Sequence, residues 1–370
     1  MNHTFFQTEL TRLNNNLADL QPSTAVFQYI KWLNETLETK DTQFIDEYLP
    51  ILKDAQRNKP EKSPFLSIVT RTRGNRIEML REVFQCLAAQ TDGDFEMILI
   101  GHKISDIQEQ SLLAALDEQP NSIRSKIRFT KVDYGTRTTP LNVGFALSYG
   151  EYIAVLDDDD LIFDHYVESF HKAAMKASGT LLHSYVLRQH WKTIPVPDGD
   201  LALCATSAPD NIYCGEFNML AQFEDNHCPL MSIAFPAEYF QKYGFIFDET
   251  LTTAEDWDYM MRLAPIAGVT DILEPTAIYR WWENSDNSAA LHSNEEWFSN
   301  LKYIQQKHTS VPVILPAGQK KVHVVKEVIH IAPPSGRIVL KNAIHRRTPN
   351  IIWKISRKIY HILGGKKWIG

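Results

Sequence analysis

Four consecutive carboxylates, Asp157 to Asp160, directly follow the apolar run 152–156. The run is short, apolar and rich in β-formers, which predicts a buried strand. Four acids at the end of such a strand concentrate negative charge that a cation or hydrogen-bond donors must compensate. Oxygen ligands suit Mg²⁺ or Mn²⁺, and Mg²⁺ takes one or two carboxylates together with substrate phosphates. The alternative is a solvated acidic turn that caps the next helix.

A second group of acids, Glu255, Asp256 and Asp258, opens a predicted helix much later in the chain. Acids in a first helical turn are favoured by the helix dipole, so capping alone would explain them. An acid near other acids in a partly closed cleft can also have a raised pKa and act as a base. The chemistry depends on whether the fold brings the two acid groups to one cleft.

The elements that must position the first group alternate between strands and helices. Strands are predicted at 65–70, 95–100, 127–132 and 152–156, and helices at 77–90, 107–116 and 141–149. This alternation predicts an α/β fold with a doubly wound, mostly parallel sheet and helices on both faces. Ligands of such sheets bind beyond the carboxyl ends of the strands, where the acid run would lie.

The flanking segments predict a division into three parts. Residues 1–60 form an N-terminal helical extension, because apolar residues recur at helical spacing in 25–37 and 44–52. The charged, proline-containing stretch 56–64 is a linker to a domain over 64–310, and residues 315–370 form a tail. Within the domain, later strands are predicted at 180–187, 231–235, 269–273 and 276–281, and later helices at 236–243 and 255–263.

The net charge of −7 is unevenly distributed along the chain. Residues 328–370 contain nine Lys or Arg and no Asp or Glu, so the preceding body is acidic. An acidic body argues against nucleic acid as a partner. In the tail, 349–363 predicts a basic amphipathic helix, with two interpretations: it lies on an anionic membrane surface, or it docks on the acidic body.

The cellular location follows from what the sequence lacks. No stretch approaches about 20 uninterrupted apolar residues, and the N-terminus has no basic-then-apolar signal. The four cysteines have no close ligand spacing and fit free thiols in a reducing compartment. We therefore expect a cytoplasmic protein, free or peripheral on the inner face of the membrane.

Several motifs taken together are more specific than any one alone. They are Leu66-Ser67-Ile68-Val69-Thr70 with the loop Arg71-Thr72-Arg73-Gly74-Asn75-Arg76, Leu141-Asn142-Val143-Gly144-Phe145-Ala146, Gly150 to Asp160, Phe247-Asp248-Glu249-Thr250-Leu251, Glu255-Asp256-Trp257-Asp258 and Ile278-Tyr279-Arg280. In order and spacing they resemble the family-2 inverting glycosyltransferases of GT-A fold, of the bacterial cell-surface polysaccharide type, over roughly 64–291.

The resemblance implies an enzyme that moves one sugar from a nucleotide-diphosphate sugar to a hydroxyl of a saccharide or lipid-linked saccharide. In the stretch that matches the family's DXD motif, Asp159 would bind Mn²⁺ or Mg²⁺ on the donor diphosphate. Asp157 would assist the metal or contact the ribose, and Asp158 would also face the donor. Asp256 matches the family's general base, and Glu255 belongs to the same catalytic motif.

The resemblance also implies contacts with donor and acceptor. Thr70, Arg71, Arg73, Arg137 and Asn142 would line the donor pocket, although a solvated loop also explains the first two arginines. The tryptophans Trp257, Trp281 and Trp282 would stack on an acceptor sugar, and core packing is the alternative for them.

The sequence departs from the family pattern in two places. The second strand ends in Gly101-His102-Lys103 without acids, which leaves the donor base open and makes His102 a candidate contact. The segment 277–281 lacks the Gln of processive relatives, which favours addition of a single sugar.

Two other functions remain open at this point. A sugar nucleotidyltransferase uses a similar sheet and metal, but its usual glycine-rich basic loop is poorly matched here. A non-catalytic saccharide- or membrane-binding module on a degenerate scaffold would not need both acid groups.

Overall fold

The computed structural model describes residues 41–195, 201–283 and 292–308. The helix predicted at 25–37 and the tail with its helix at 349–363 lie outside the described residues, so both stay predictions. Among the described helices, none combines the length and the apolar character needed to cross a membrane.

The elements alternate through the first half of the chain and become less regular later. In chain order they are α1 (Asp41–Arg57), β1 (Leu66–Thr72), α2 (Ile77–Ala88), β2 (Phe95–His102), α3 (Asp106–Asp117), α4 (Asn121–Arg124), β3 (Ile127–Val132), α5 (Thr139–Leu147), β4 (Tyr152–Val155), β5 (Leu161–Ile162), α6 (Tyr166–Lys176), β6 (Leu181–Pro195), β7 (Leu201–Ala205), β8 (Asp210–Tyr213), α7 (Met219–Gln222), β9 (Ile233–Pro236), α8 (Ala237–Gln241), α9 (Glu255–Ala267), β10 (Val269–Trp282) and α10 (Asn294–His308).

One sheet carries these strands in the order β3-β2-β1-β4-β9-β6-β10-β5, with β7 and β8 paired to β6. The strands β1 to β4 run parallel to one another, and β10 runs parallel to β6. The strand β9 is antiparallel to both β4 and β6. The predicted α/β fold with a mostly parallel sheet and helices on both faces is confirmed, and the carboxyl ends of β1 and β4 lie side by side.

The later half of the chain differs from the sequence prediction in the following elements. The two strands predicted at 269–273 and 276–281 are one strand, β10, whose register shifts around Pro275 because proline has no N–H for the ladder. The strand β6 continues to Pro195, well past the predicted end at 187. Helix α10 was not predicted, and its buried residues are Ile304 and His308.

Two apolar cores cover the two faces of the sheet. Leu80, Phe84 and Phe170, from α2 and α6, are buried on one face. Phe145 of α5 and Tyr259 of α9 are buried on the other. The cores fix the strands whose carboxyl ends form the site described below.

The packing of α5 on β1 is especially close. A Cβ on Gly144 would lie 2.4 Å from Val69 Cγ1, so only glycine lets α5 approach the strand. Helix α1 packs on the same side, where Tyr48 and Leu52 are buried beside α5. Its Tyr48 hydroxyl donates a hydrogen bond to Glu249. These contacts hold β1, and therefore the loop that follows it, in a fixed position.

Candidate functional site

A cleft of about 570 Å³ lies at the carboxyl ends of β1 and β4, beside the end of β10. Its charged lining combines the acids Asp157, Asp158, Asp159 and Asp160 with the arginines Arg71, Arg73, Arg76, Arg137 and Arg280. This position matches the general rule for parallel sheets, whose ligands bind beyond the strand ends. The arginines supply the compensation that four adjacent carboxylates require.

The buried guanidinium of Arg71 connects the two acid groups. Its Nε lies 3.2 Å from Asp157 Oδ1, at the end of β4, and its Nη1 lies 2.8 Å from Glu255 Oε1, at the start of α9. Burial opposes the charged form of Arg71, but Asp157 and Glu255 together raise its pKa. Arg71 therefore links the first turn of α9 to the acid run, although Glu255 and Asp256 are not among the residues that line the cleft.

Glu255 serves as a counter-ion for two arginines. It is buried, and Arg137 Nε lies 3.3 Å from the same Oε1 that Arg71 contacts. Burial alone would raise the pKa of Glu255, but Arg137 and Arg71 outweigh burial and lower the pKa. A carboxylate held ionised in this way is a poor proton acceptor, so its placement indicates that it orients the arginines.

Asp256 has the electrostatic environment of a general base. Its Oδ1 accepts a hydrogen bond from the backbone N–H of Trp257 at 2.8 Å, and its Oδ2 accepts one from Asn226 Nδ2 at 3.4 Å. Burial, together with the charge of Glu255, raises the pKa of Asp256 to about 6. A pKa near neutrality allows an acid to take up a proton in the reaction and release it afterwards.

The backbone before these two acids is in a left-handed conformation. Ala254, the N-cap of α9, has φ 58°, which is unfavourable for a residue with a Cβ. Such conformations concentrate where a functional residue must be aimed. Here the conformation starts α9 at Glu255 and directs the first turn towards Arg71.

The four acids of the run differ in burial, but each contacts a donor. Asp158 Oδ2 accepts a hydrogen bond from Thr72 Oγ1 at 2.6 Å, and Asp160 Oδ1 accepts one from the backbone N–H of Arg280 at 2.8 Å. Asp159 Oδ2 lies 2.6 Å from Arg76 Nη1. Because Asp158 and Asp160 are buried, the interpretation of the run as a solvated turn is wrong.

Burial, together with the charge of neighbouring acids, raises the pKa values of Asp158, Asp159 and Asp160. Burial raises the pKa of Asp158 to about 7, with the charge of Asp159 adding to it and Arg76 opposing it. Burial also raises the pKa values of Asp159 and Asp160, against the effect of nearby arginines. The run would therefore gain stability from a further positive charge.

The side chains present fit a divalent cation that a substrate helps to bind. Within the described residues, no group of three or more His, Cys, Asp or Glu is arranged to hold an ion by itself. Mg²⁺ commonly takes one or two carboxylates and completes its shell with water and substrate phosphates. Asp157 and Asp159 at the cleft provide oxygen donors of that kind.

Comparison with known proteins identifies the fold of this site. Residues 67–194 match the model of glycosyl transferase family 2. This segment of the chain is similar to family-2 glycosyltransferases, and the α/β fold is of the GT-A type.

Solved structures agree with this assignment at the level of the fold. The crystal structure of Staphylococcus aureus TarS 1–349 in complex with UDP-GlcNAc has a TM-score of 0.50 and 16% identity, and the match covers 66% of each chain. TarS 1–349 in complex with UDP has a TM-score of 0.47 and 15% identity, covering 66% of this chain and 65% of that one. The chain thus spans just under two thirds of the TarS chains it matches. No curated protein matches the sequence.

Two predicted donor contacts of the family-2 domain are turned away from the cleft. Asn142 is buried, and its Nδ2 donates to Phe247 O at 3.1 Å and to Glu249 Oε1 at 2.9 Å. It therefore braces the segment before α9. The resemblance predicted that Asn142 faces the donor, but its side chain is not among those that line the cleft. Thr70 is also buried, one residue below Arg71, and does not line the cleft.

The three tryptophans differ in their placement. Trp257 is a core residue whose Nε1 donates to Gln222 O at 2.9 Å, so the core-packing alternative describes it. Trp282 is buried and lines the cleft wall. Trp281 is 37% exposed, and the guanidinium of Arg188 lies 4.6 Å from its ring centre.

Sequence reasoning did not assign roles to several residues that line the cleft. Arg76 and Thr72 contact the acid run directly, and Arg280 lies between the rings of Trp191 and Trp282. Four adjacent acids need positive charges or hydrogen-bond donors nearby, and this requirement could have pointed to Arg76 in the sequence. His292 also lines the cleft, and nothing in its local sequence indicates this.

The candidate base contact His102 lines the cleft as well. Its Nε2 lies 3.0 Å from Tyr134 O, and burial lowers the pKa of the imidazole. A neutral ring at this position offers hydrogen bonding without charge, and the donor base stays a prediction.

Proposed function

We propose that this protein is an inverting, metal-dependent glycosyltransferase. It moves one sugar from a nucleotide-diphosphate sugar to a hydroxyl of a saccharide or lipid-linked saccharide. The single observation that supports the proposal is the pair of ion contacts that Arg71 makes with Asp157 and Glu255, because they link the acid run of the cleft to the helical turn that contains Asp256.

The donor diphosphate would lie against the acid run and the cleft arginines. A bound Mn²⁺ or Mg²⁺, held by Asp159 and Asp157, would neutralise charge on the departing nucleoside diphosphate. Arg73 and Arg137 line the same cleft and offer donors for phosphate oxygens. The buried ion pairs of Arg71 fix the geometry in which these groups act.

Asp256 would accept the proton of the acceptor hydroxyl as that oxygen attacks the anomeric carbon. Tyr279 lines the cleft, so an acceptor sugar that binds there would meet its ring. With one base and a single displacement, the anomeric configuration inverts.

The test is a panel of nucleotide sugars with Mn²⁺, beginning with UDP-GlcNAc because the TarS chain of the same fold binds it. The proposal predicts release of a nucleoside diphosphate and, by NMR, a product of inverted anomeric configuration. Release of pyrophosphate would indicate a nucleotidyltransferase. Absence of turnover with every donor would favour a binding module.

A further inference from the structure

The loop after β1 places a guanidinium on the acids that the proposed function assigns to the metal. Arg76 Nη1 lies 2.6 Å from Asp159 Oδ2 and 3.4 Å from Asp158 Oδ1. All three side chains are mostly buried, with 19%, 13% and 9% exposure for Arg76, Asp159 and Asp158. Their mutual attraction is therefore only weakly screened by solvent.

A divalent cation and this guanidinium compete for the same oxygen. Mg²⁺ binds carboxylate oxygens at about 2.0–2.1 Å and demands near-octahedral access. The Nη1 group already occupies the approach to Asp159 Oδ2, and two positive charges on one oxygen repel each other. Arg76 must therefore leave that oxygen before an ion can bind there.

The turn that holds Arg76 is built into the fold. Gly74 has φ +69°, and a Cβ there would lie 2.9 Å from Gln108 Cβ, so the turn needs glycine. The N–H of Gly74 donates to Thr72 Oγ1 at 3.0 Å, and that hydroxyl donates to Asp158. Arg76 then immediately precedes α2, which limits the positions its side chain can reach.

We propose that Arg76 is the internal counter-ion of Asp158 and Asp159, and that it leaves Asp159 when a divalent cation binds. The proposal rests on the proposed function for the presence of that cation. Competition from Arg76 makes free cation bind weakly. A donor diphosphate reverses this, because its oxygens ligate the ion and also accept the released planar guanidinium. Metal and donor consequently bind together.

Calorimetric titration of Mn²⁺ into the full-length protein, without any nucleotide, tests this directly. Arg76→Gln removes the competing charge, and we expect it to bind Mn²⁺ at least about tenfold more tightly than the wild type. The matched control is Arg81→Gln, because Arg81 pairs with Glu78 and Glu118 away from the cleft, and its Mn²⁺ affinity should equal that of the wild type. An Arg76→Gln affinity equal to or below that of the wild type overturns the proposal.

Two further variants keep the test decisive. Adding Asp159→Asn to Arg76→Gln should abolish the gain, and a gain that persists would place the ion elsewhere and contradict the proposal. If Arg76→Gln does not fold, Arg76→Met carries the test, because it also removes the positive charge and keeps an unbranched side chain. We expect a gain in Mn²⁺ affinity of at least about tenfold, and no gain contradicts the proposal.

Titration of UDP in the presence of Mn²⁺ measures the coupling. In the wild type, UDP should raise Mn²⁺ affinity more than it does in Arg76→Gln, since only the wild type must displace a guanidinium. Equal enhancement in both proteins would contradict the proposal. Tighter Mn²⁺ binding by Arg76→Gln, with no turnover of any donor, would uphold this inference and refute the proposed function. Sugar transfer by the wild type, together with an Mn²⁺ affinity that Arg76→Gln leaves unchanged, would support the proposed function and refute this inference.

Discussion

Asp256 is partly buried and stands next to Glu255, and burial together with the charge of Glu255 raises the pKa of Asp256 to about 6. A general base must be unprotonated, so kcat/KM should rise with pH and level off above an apparent pKa near 6. Initial rates between pH 4.5 and 8 at saturating Mn²⁺ measure this limb. A profile without an acid limb in this range would remove Asp256 from the role.

Glu255 and Asp256 have different expected roles, and Glu255→Gln separates them. Removing the negative charge beside Asp256 lowers the pKa of Asp256, so the acid limb should move below pH 6. Donor affinity should fall as well, because Arg71 and Arg137 lose their shared counter-ion. Loss of all transfer with unchanged donor affinity would instead make Glu255 the base.

Residue types and spacing were enough to select the acid groups and most cleft arginines. They could not reveal which polar side chains are buried and hydrogen-bonded within the fold. Asn142 and Trp257 lie in motifs of the family, yet both are buried and hydrogen-bonded to backbone carbonyls. The direction in which a side chain points depends on how other elements pack against its own element. A local sequence pattern does not contain that information.

At the scale of elements, the contact between α5 and β1 supports the site. Gly144→Ala should destabilise the protein by about 1–3 kcal/mol, because the new Cβ would meet the stiff side chain of Val69. The strain should exceed the gain of about 1 kcal/mol that alanine normally brings to a helix. Urea denaturation measures the change in the free energy of unfolding.

A control for this substitution is Gly215→Ala, where a Cβ would meet nothing within 4 Å. It should leave the free energy of unfolding nearly unchanged. If Gly144→Ala is as stable as Gly215→Ala, the close approach of α5 to β1 does not constrain the strand that carries Arg71.

The elements of the parallel half were predictable because each strand and helix there has a clear period. In the later half, the bounds of the strands depend on pairing with strands that are distant in the sequence, which a local pattern does not specify. The strand β10 continues through Pro275 because β6 lies alongside it over nearly its whole length. Helix α10 is held by polar contacts, such as Lys307 with Asp248 and Asp258, as well as by the packing of Leu301 and Ile304.

At the scale of the whole molecule, an acidic body is joined to a basic tail. We expect the full-length protein to bind vesicles of anionic lipid through 349–363, and replacement of Lys354, Arg357 and Lys358 by Glu to abolish that binding. Co-sedimentation with anionic and with zwitterionic vesicles measures it. Unchanged sedimentation of the variant would favour the other interpretation, a tail helix docked on the body.

The central claim is that one cleft holds a donor-binding acid run and a separate base. The most direct test compares Asp159→Ala with Asp256→Asn for Mn²⁺-dependent binding of the nucleotide sugar and for sugar transfer. The account predicts that Asp159→Ala loses donor binding, whereas Asp256→Asn binds donor like the wild type and transfers sugar about 10²–10⁴-fold more slowly. An Asp256→Asn protein that turns over near the wild-type rate, or an Asp159→Ala protein that binds donor normally, would contradict it.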